Sequence, residues 1–159
     1  MSDERMSLPG SEEKFRVGER LSADASSDQQ VTATILLRRP PKAASEQDLF
    51  SPNYRPPTRE AAEEQLRADA TDMRAVADFA TQHGLTVIEE EPASRRIRVQ
   101  GNASQIALAF GVQLKWAQDA GGHRFLTYQG SISVPKQLSE IITAVLGLSQ
   151  RTVAQHHSL

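Results

Sequence analysis

No cysteine occurs among the 159 residues of the chain. Its absence removes disulfide frameworks, thiolate metal sites, CxxC redox chemistry and cysteine nucleophiles together. No apolar run reaches about 18 residues, the length a membrane-spanning helix needs. Neither sign of charge dominates: 18 Lys and Arg stand against 20 Asp and Glu, a net charge of −2. A basic surplus of the kind used on a phosphate backbone is therefore missing. The first residues, Met1 to Gly10, contain no apolar signal-peptide core.

What remains is enough for one domain: hydrophobic residues make up 38% of the chain, so a core can form. Residues 1–29 are polar, charged and rich in Ser and Asp, with Phe15, Val17 and Leu21 as their few apolar anchors, and read as a mostly disordered arm. From Gln30 to Arg38 the residues Val31, Ala33, Ile35 and Leu37 alternate with Thr32, Thr34, Leu36 and Arg38, the period of a strand with one buried face. Pro40 and Pro41 stop it, since proline cannot donate a ladder hydrogen bond. A proline-containing loop from Lys42 to Pro57 leads to Thr58, a candidate cap for a short helix through Leu66.

Asp69 is placed to cap a longer helix, Ala70 to His83, with Met73, Val76, Ala77 and Ala80 as its apolar stripe and Phe79 beside it. Gly84 suits the left-handed position that ends it. Leu85 to Glu90 and Ser94 to Gln100 read as two strands joined by Glu91-Pro92-Ala93. In the latter strand Arg96, Arg98 and Gln100 share one face, and Ile97 and Val99 the other. Asn102 with Gln105 three residues on forms a capping-box pattern for a helix to Phe110, ended by Gly111. The same Asn102-Ala103-Ser104 triplet matches a glycosylation acceptor, but its place after Gly101 favours the cap. Val112 to Ala117 is expected as the next strand, with Trp116 in the core, and Asp119-Ala120-Gly121-Gly122 turns it into a hairpin with His123 to Gln129. The i, i+3, i+4 spacing of Leu138, Ile141, Ile142 and Val145 predicts a last helix from Pro135 through Leu146.

The order strand, helix, strand, strand, helix, strand predicts an α+β fold: a ferredoxin-like antiparallel sheet with two main helices on one face, plus an appended hairpin and C-terminal helix. The domain is expected over 30–148, and the polar residues 149–159 as a C-terminal linker. Several functions that this fold can carry lack their residues. RNA readers stack bases on aromatics of the third strand, and Ser94 to Gln100 has none. A metal carrier would use paired cysteines. A phosphate-cradling loop after the first strand would need N–H donors, which Pro40 and Pro41 remove.

Several blocks carry a family likeness: His83-Gly84-Leu85, Ala109-Phe110-Gly111-Val112-Gln113-Leu114, Tyr128, Gly130, Val134-Pro135 and Val145-Leu146-Gly147-Leu148. Together they resemble the activation prosegments of sedolisin/kumamolisin-type serine-carboxyl peptidases, over roughly Gln30 to His157. The resemblance implies a ferredoxin-like prodomain that assists folding of the catalytic domain, inhibits it near neutral pH and is removed in acid. It implies a secreted or extracytoplasmic proenzyme. The catalytic domain is the implied partner, with no nucleic acid or membrane involved. The family's catalytic triad and calcium site belong to that catalytic domain, so this chain is expected to be non-enzymatic and to hold no cofactor.

A sheet with helices on one face leaves the other open, and Arg96, Arg98 and Gln100 are the expected partner-docking residues there. Arg151, Gln155, His156 and His157 are the expected linker and processing residues. Such a segment can lie in a protease cleft as an added strand, and an unperturbed histidine pair, titrating at about pH 6.5, would add positive charge to the linker on acidification. The chain stops about where the family's linker enters the cleft. A processed or truncated prosegment and a stand-alone ferredoxin-like regulatory or interaction domain both remain compatible with it.

Overall fold

The structure, a computed structural model, describes residues 4–40, 52, 58–60 and 66–150. Among these, the strands and longer helices follow in the order β1 (Arg5–Ser7), β2 (Arg20–Asp24), β3 (Gln30–Leu37), α1 (Ala70–Gln82), β4 (Thr86–Glu91), β5 (Arg96–Asn102), α2 (Ala103–Phe110), β6 (Gln113–Gln118), β7 (Arg124–Gln129), β8 (Ser133–Pro135) and β9 (Ile142–Leu146). Pro92–Ser94 and Lys136–Leu138 are single 3-10 turns. The Lys42–Pro57 loop and the helix expected from Thr58 to Leu66 fall largely outside the described residues.

The main sheet has four antiparallel strands in the order β4-β5-β3-β9. That is the ferredoxin-like order, with β3, β4, β5 and β9 as its members and α1 and α2 packed on one face. The expected alternation holds on β3, where Val31, Ala33, Ile35 and Leu37 are buried, and on β5, where Ile97 and Val99 are buried. Against them α1 presents Met73, Val76, Phe79 and Ala80, and α2 presents Ile106, Ala109 and Phe110. The Phe79 and Phe110 rings meet edge to face at 6.0 Å.

Local chemistry set the helix ends as expected. The Asp69 carboxylate accepts the Thr71 and Asp72 amides at the start of α1. At α2 both halves of the capping box form: the Asn102 side chain accepts the Gln105 amide at 2.8 Å, and the Gln105 side chain accepts the Asn102 amide at 2.9 Å. A buried Asp72 in the first turn of α1 takes two bonds, of 3.0 and 3.2 Å, from the Arg38 guanidinium at the end of β3. This pair ties helix to sheet.

Three expectations are corrected. The helix expected from Pro135 to Leu146 is absent. Its residues form part of β8, a 3-10 turn and β9, the fourth strand of the main sheet. The cause is a bulge: the register runs Leu36↔Ala144 and then Leu37↔Ile142, skipping Thr143. Ile142 and Val145 are thereby buried on one side three residues apart, which imitates helical spacing. The Thr143 hydroxyl donates to the Leu36 carbonyl at the bulge, 3.2 Å away. Secondly, Val112–Ala117 is not a main-sheet strand. The hairpin β6–β7 is an insertion before the fourth strand, joined by β2 into a separate three-stranded sheet. Thirdly, the segment read as a disordered arm holds β1 and β2. β1 pairs with β8, and β2 with β6. The anchor of this segment is Leu8, which is buried, whereas Phe15, Val17 and Leu21 are exposed. Long-range main-chain pairing supplies what the sparse apolar residues of the segment cannot. Trp116, expected in the core, is half-buried against it, with the Arg124 guanidinium 4.6 Å over its ring.

Candidate functional site

The face of the main sheet away from the helices has three cross-strand rows. The first reads Glu89, Arg98, Thr34, Leu146; the second Glu91, Arg96, Leu36, Ala144; the third Thr86, Gln100, Thr32. The three expected docking residues therefore do share a face, and it is the face the helices leave uncovered. Arg96 and Arg98 are exposed, and Gln100 is half-buried. Arg151, Gln155, His156 and His157 lie outside the described residues.

Each arginine sits across from a carboxylate. The Arg98 guanidinium donates to Glu89 Oε2 at 3.1 Å, and Arg96 is in register with Glu91. Glu91 Oε2 accepts the Ser94 hydroxyl at 2.9 Å. The neighbouring Glu89 carboxyl, acting as a hydrogen-bond partner, holds the Glu91 carboxyl below its ordinary range, with help from the Ser94 hydroxyl and from the fields of Arg96 and Arg98. The strip thus sets two guanidinium groups across from two carboxyl groups. Around it lie apolar side chains that water reaches: Leu146 is 51% exposed and Ile88, beside the β4 bulge, 44%.

The turn between β4 and β5 fixes this geometry. Arg95 adopts a left-handed conformation, φ 56°, which is uncommon for a side-chain-bearing residue. Its carbonyl accepts the Leu37 amide at 2.9 Å, and its guanidinium donates to the Leu66 carbonyl at 2.8 Å. Sequence reasoning identified the arginines and missed Glu89 and Glu91 as their neighbours. The acidic run Glu89-Glu90-Glu91 was visible, but its register against β5 was not, because a bulge between Val87 and Glu89 shifts it.

Such a face can dock on a protein surface. Among the described residues, no group of three or more His, Cys, Asp or Glu is arranged to hold a metal ion, and no helix is long and apolar enough to cross a membrane.

The family model described as "Pro-kumamolisin, activation domain" matches residues 18–151. Kumamolisin of Bacillus sp. (strain MN-32) is 31% identical over 136 residues, which cover 82% of this chain and 24% of that protein. The chain thus spans about a quarter of the length of this relative. With the family matched over most of its length, and with the ferredoxin-like sheet in place, this chain belongs to the pro-kumamolisin activation domain family.

Proposed function

We propose that the chain acts as the propeptide of a kumamolisin-type serine peptidase. It docks on the catalytic domain through the open face of the main sheet, assists its folding and inhibits it until acid releases it. The observation that carries this reading is the one-sided sheet: helices cover one face, and the other presents a strip of facing carboxyl and guanidinium groups, Glu89, Glu91, Arg96 and Arg98, with Leu146 and Ile88 exposed on the two edge strands. Exposed apolar side chains set beside charged ones are compatible with a protein-binding surface. Residues 149–159 serve as the linker that enters the cleft, tethered so that weak contacts suffice. The chemistry of cleavage stays with the peptidase domain, and so does calcium. The proenzyme acts outside the cytoplasm.

Acid acts on the docking strip with a definite sign. Protonating Glu91 leaves Arg96 across from an uncharged partner, so the face gains positive charge as pH falls through the depressed Glu91 range. The His156-His157 pair adds charge at higher pH, near its ordinary range of about 6.5.

Purified chain added to a mature kumamolisin-type peptidase is expected to inhibit it at about pH 6.5 and to lose potency at about pH 3.5. The double variant Arg96→Glu, Arg98→Glu should lose inhibition at the higher pH while keeping its fold. A folded chain that inhibits none of several such peptidases at either pH would end this reading in favour of a stand-alone interaction domain.

A further inference from the structure

Among the described residues only two polar or charged side chains are buried, Asp72 and Thr127. Asp72 is accounted for by Arg38. Thr127 lies on β7 within the run Phe125-Leu126-Thr127-Tyr128, all of it buried, where valine would fill the same space. A buried hydroxyl needs hydrogen-bond partners to offset its desolvation.

The Thr127 hydroxyl lies 2.9 Å from Glu13 Oε2 and 3.2 Å from Ser149 Oγ. These partners are 114 residues upstream and 22 residues downstream. An ionised carboxylate can only accept, so the single Thr127 proton goes to Glu13, and the hydroxyl's lone pairs are turned to the Ser149 hydroxyl. One atom thus joins the N-terminal segment to the chain leaving β9. The next residue is also held on β7: the Gln150 amide donates to the Leu126 carbonyl at 2.7 Å.

The segment bearing Glu13 is itself firmly placed. Leu8 is buried and its amide donates to the Ile132 carbonyl at 2.8 Å. The Ile132 amide donates to the Ser11 hydroxyl at 2.9 Å, and the Tyr128 hydroxyl donates to the Ser11 carbonyl. The Arg5 guanidinium bonds the Ala109 and Ser133 carbonyls, which ties the segment to the end of α2. The strap residues named here, Arg5, Leu8, Ser11 and Glu13, all precede the stretch matched by the family model, which begins at residue 18. The match therefore assigns them no part.

We propose that residues 4–13 form a strap whose task is to set where the C-terminal segment leaves the domain, with Thr127 as the positioning residue that joins strap to exit. The strap anchors Glu13, Glu13 orients the Thr127 hydroxyl, and Thr127 holds Ser149, so that Gln150 starts along the β7 edge in a fixed direction. This deepens the propeptide reading and its functional arm rests on it: a linker delivered to a cleft needs a fixed point of departure, since a wandering exit lowers its effective concentration there.

The test is amide hydrogen exchange on the full chain, read at Gln150 and at Ile97 and Val99 in the sheet centre. Thr127→Val is expected to speed exchange at Gln150 about tenfold, the factor that goes with one lost hydrogen bond, and to leave Ile97 and Val99 unchanged. Thr127→Ser, which keeps the hydroxyl, should restore slow exchange, as a purely space-filling role would not. Glu13→Ala should act like Thr127→Val, and it reads the same link should the valine variant fail to fold. Unaltered Gln150 exchange in a folded Thr127→Val or Glu13→Ala protein overturns the proposal. In a peptidase assay the same variants should inhibit several-fold less well. Faster exchange with full inhibition would keep the strap and reject the linker part of the propeptide reading, so the two fail separately.

Discussion

Replacing Phe110 by alanine removes a ring that is fully buried between the two helices and the sheet. The surroundings are poorly able to close the gap. Phe79 meets the ring edge-on from α1, the preceding carbonyl, of Ala109, is held by Arg5, and Gly111 after it is fixed at φ 66°. Phe-to-Ala changes in cores cost about 3–5 kcal/mol, more where the site cannot collapse, so a loss of about 4–5 kcal/mol is expected here. For a domain whose whole stability is on the order of 5–15 kcal/mol, that brings the protein close to unfolding. Leu108 provides the control on the same helix: it is 72% exposed, and Leu108→Ala should stay within about 0.5 kcal/mol of the parent. Urea unfolding followed by far-UV circular dichroism and by Trp116 fluorescence, with matched m values, measures both. A loss under about 1 kcal/mol at Phe110, or a larger one at Leu108, would refute the packing argument.

Two further outcomes follow from single positions. Gly147 has φ +97° and a Cβ there would lie 2.8 Å from the Thr32 carbonyl oxygen; Gly147→Ala should therefore destabilise by more than the roughly 1–2 kcal/mol of left-handed strain alone. Gly10→Ala, at φ +75° with nothing within 4 Å, should cost only that strain, and equal losses in urea would disprove the clash. Glu91 should titrate below 4.5 in an NMR pH series, and Ser94→Ala should move its midpoint upward. A depressed carboxyl stabilises the fold above its ordinary pKa and loses that contribution as pH falls through the folded value, so a Glu91→Gln protein should show less acid sensitivity. A midpoint at or above 4.5 would contradict the geometry of the strip.

The elements legible in the sequence are those whose causes lie within a few residues of one another. Asp69 and the Asn102–Gln105 box start their helices by bonding amides two or three positions away. The strict alternation on β3 and β5 assigns buried and open faces, so that residue order alone puts Arg96, Arg98 and Gln100 on one side of a strand. What escaped was decided by pairing between distant segments. The bulge against β3 made β9 look helical, although Ile141, Ile142, Thr143 and Val145 are β-branched and favour a strand. The short β1 and β2 have no apolar period of their own and exist through β8 and β6. Glu89 meets Arg98, and Glu13 meets Ser149 through Thr127, only once the register is set. Helix ends, strand faces and the family likeness are thus written in the order of the residues, because caps and periods are local. The fourth strand, the strap and the charge partners come from tertiary pairing, because a strand's register is fixed by its neighbour and a bulge in that neighbour shifts every pairing beyond it.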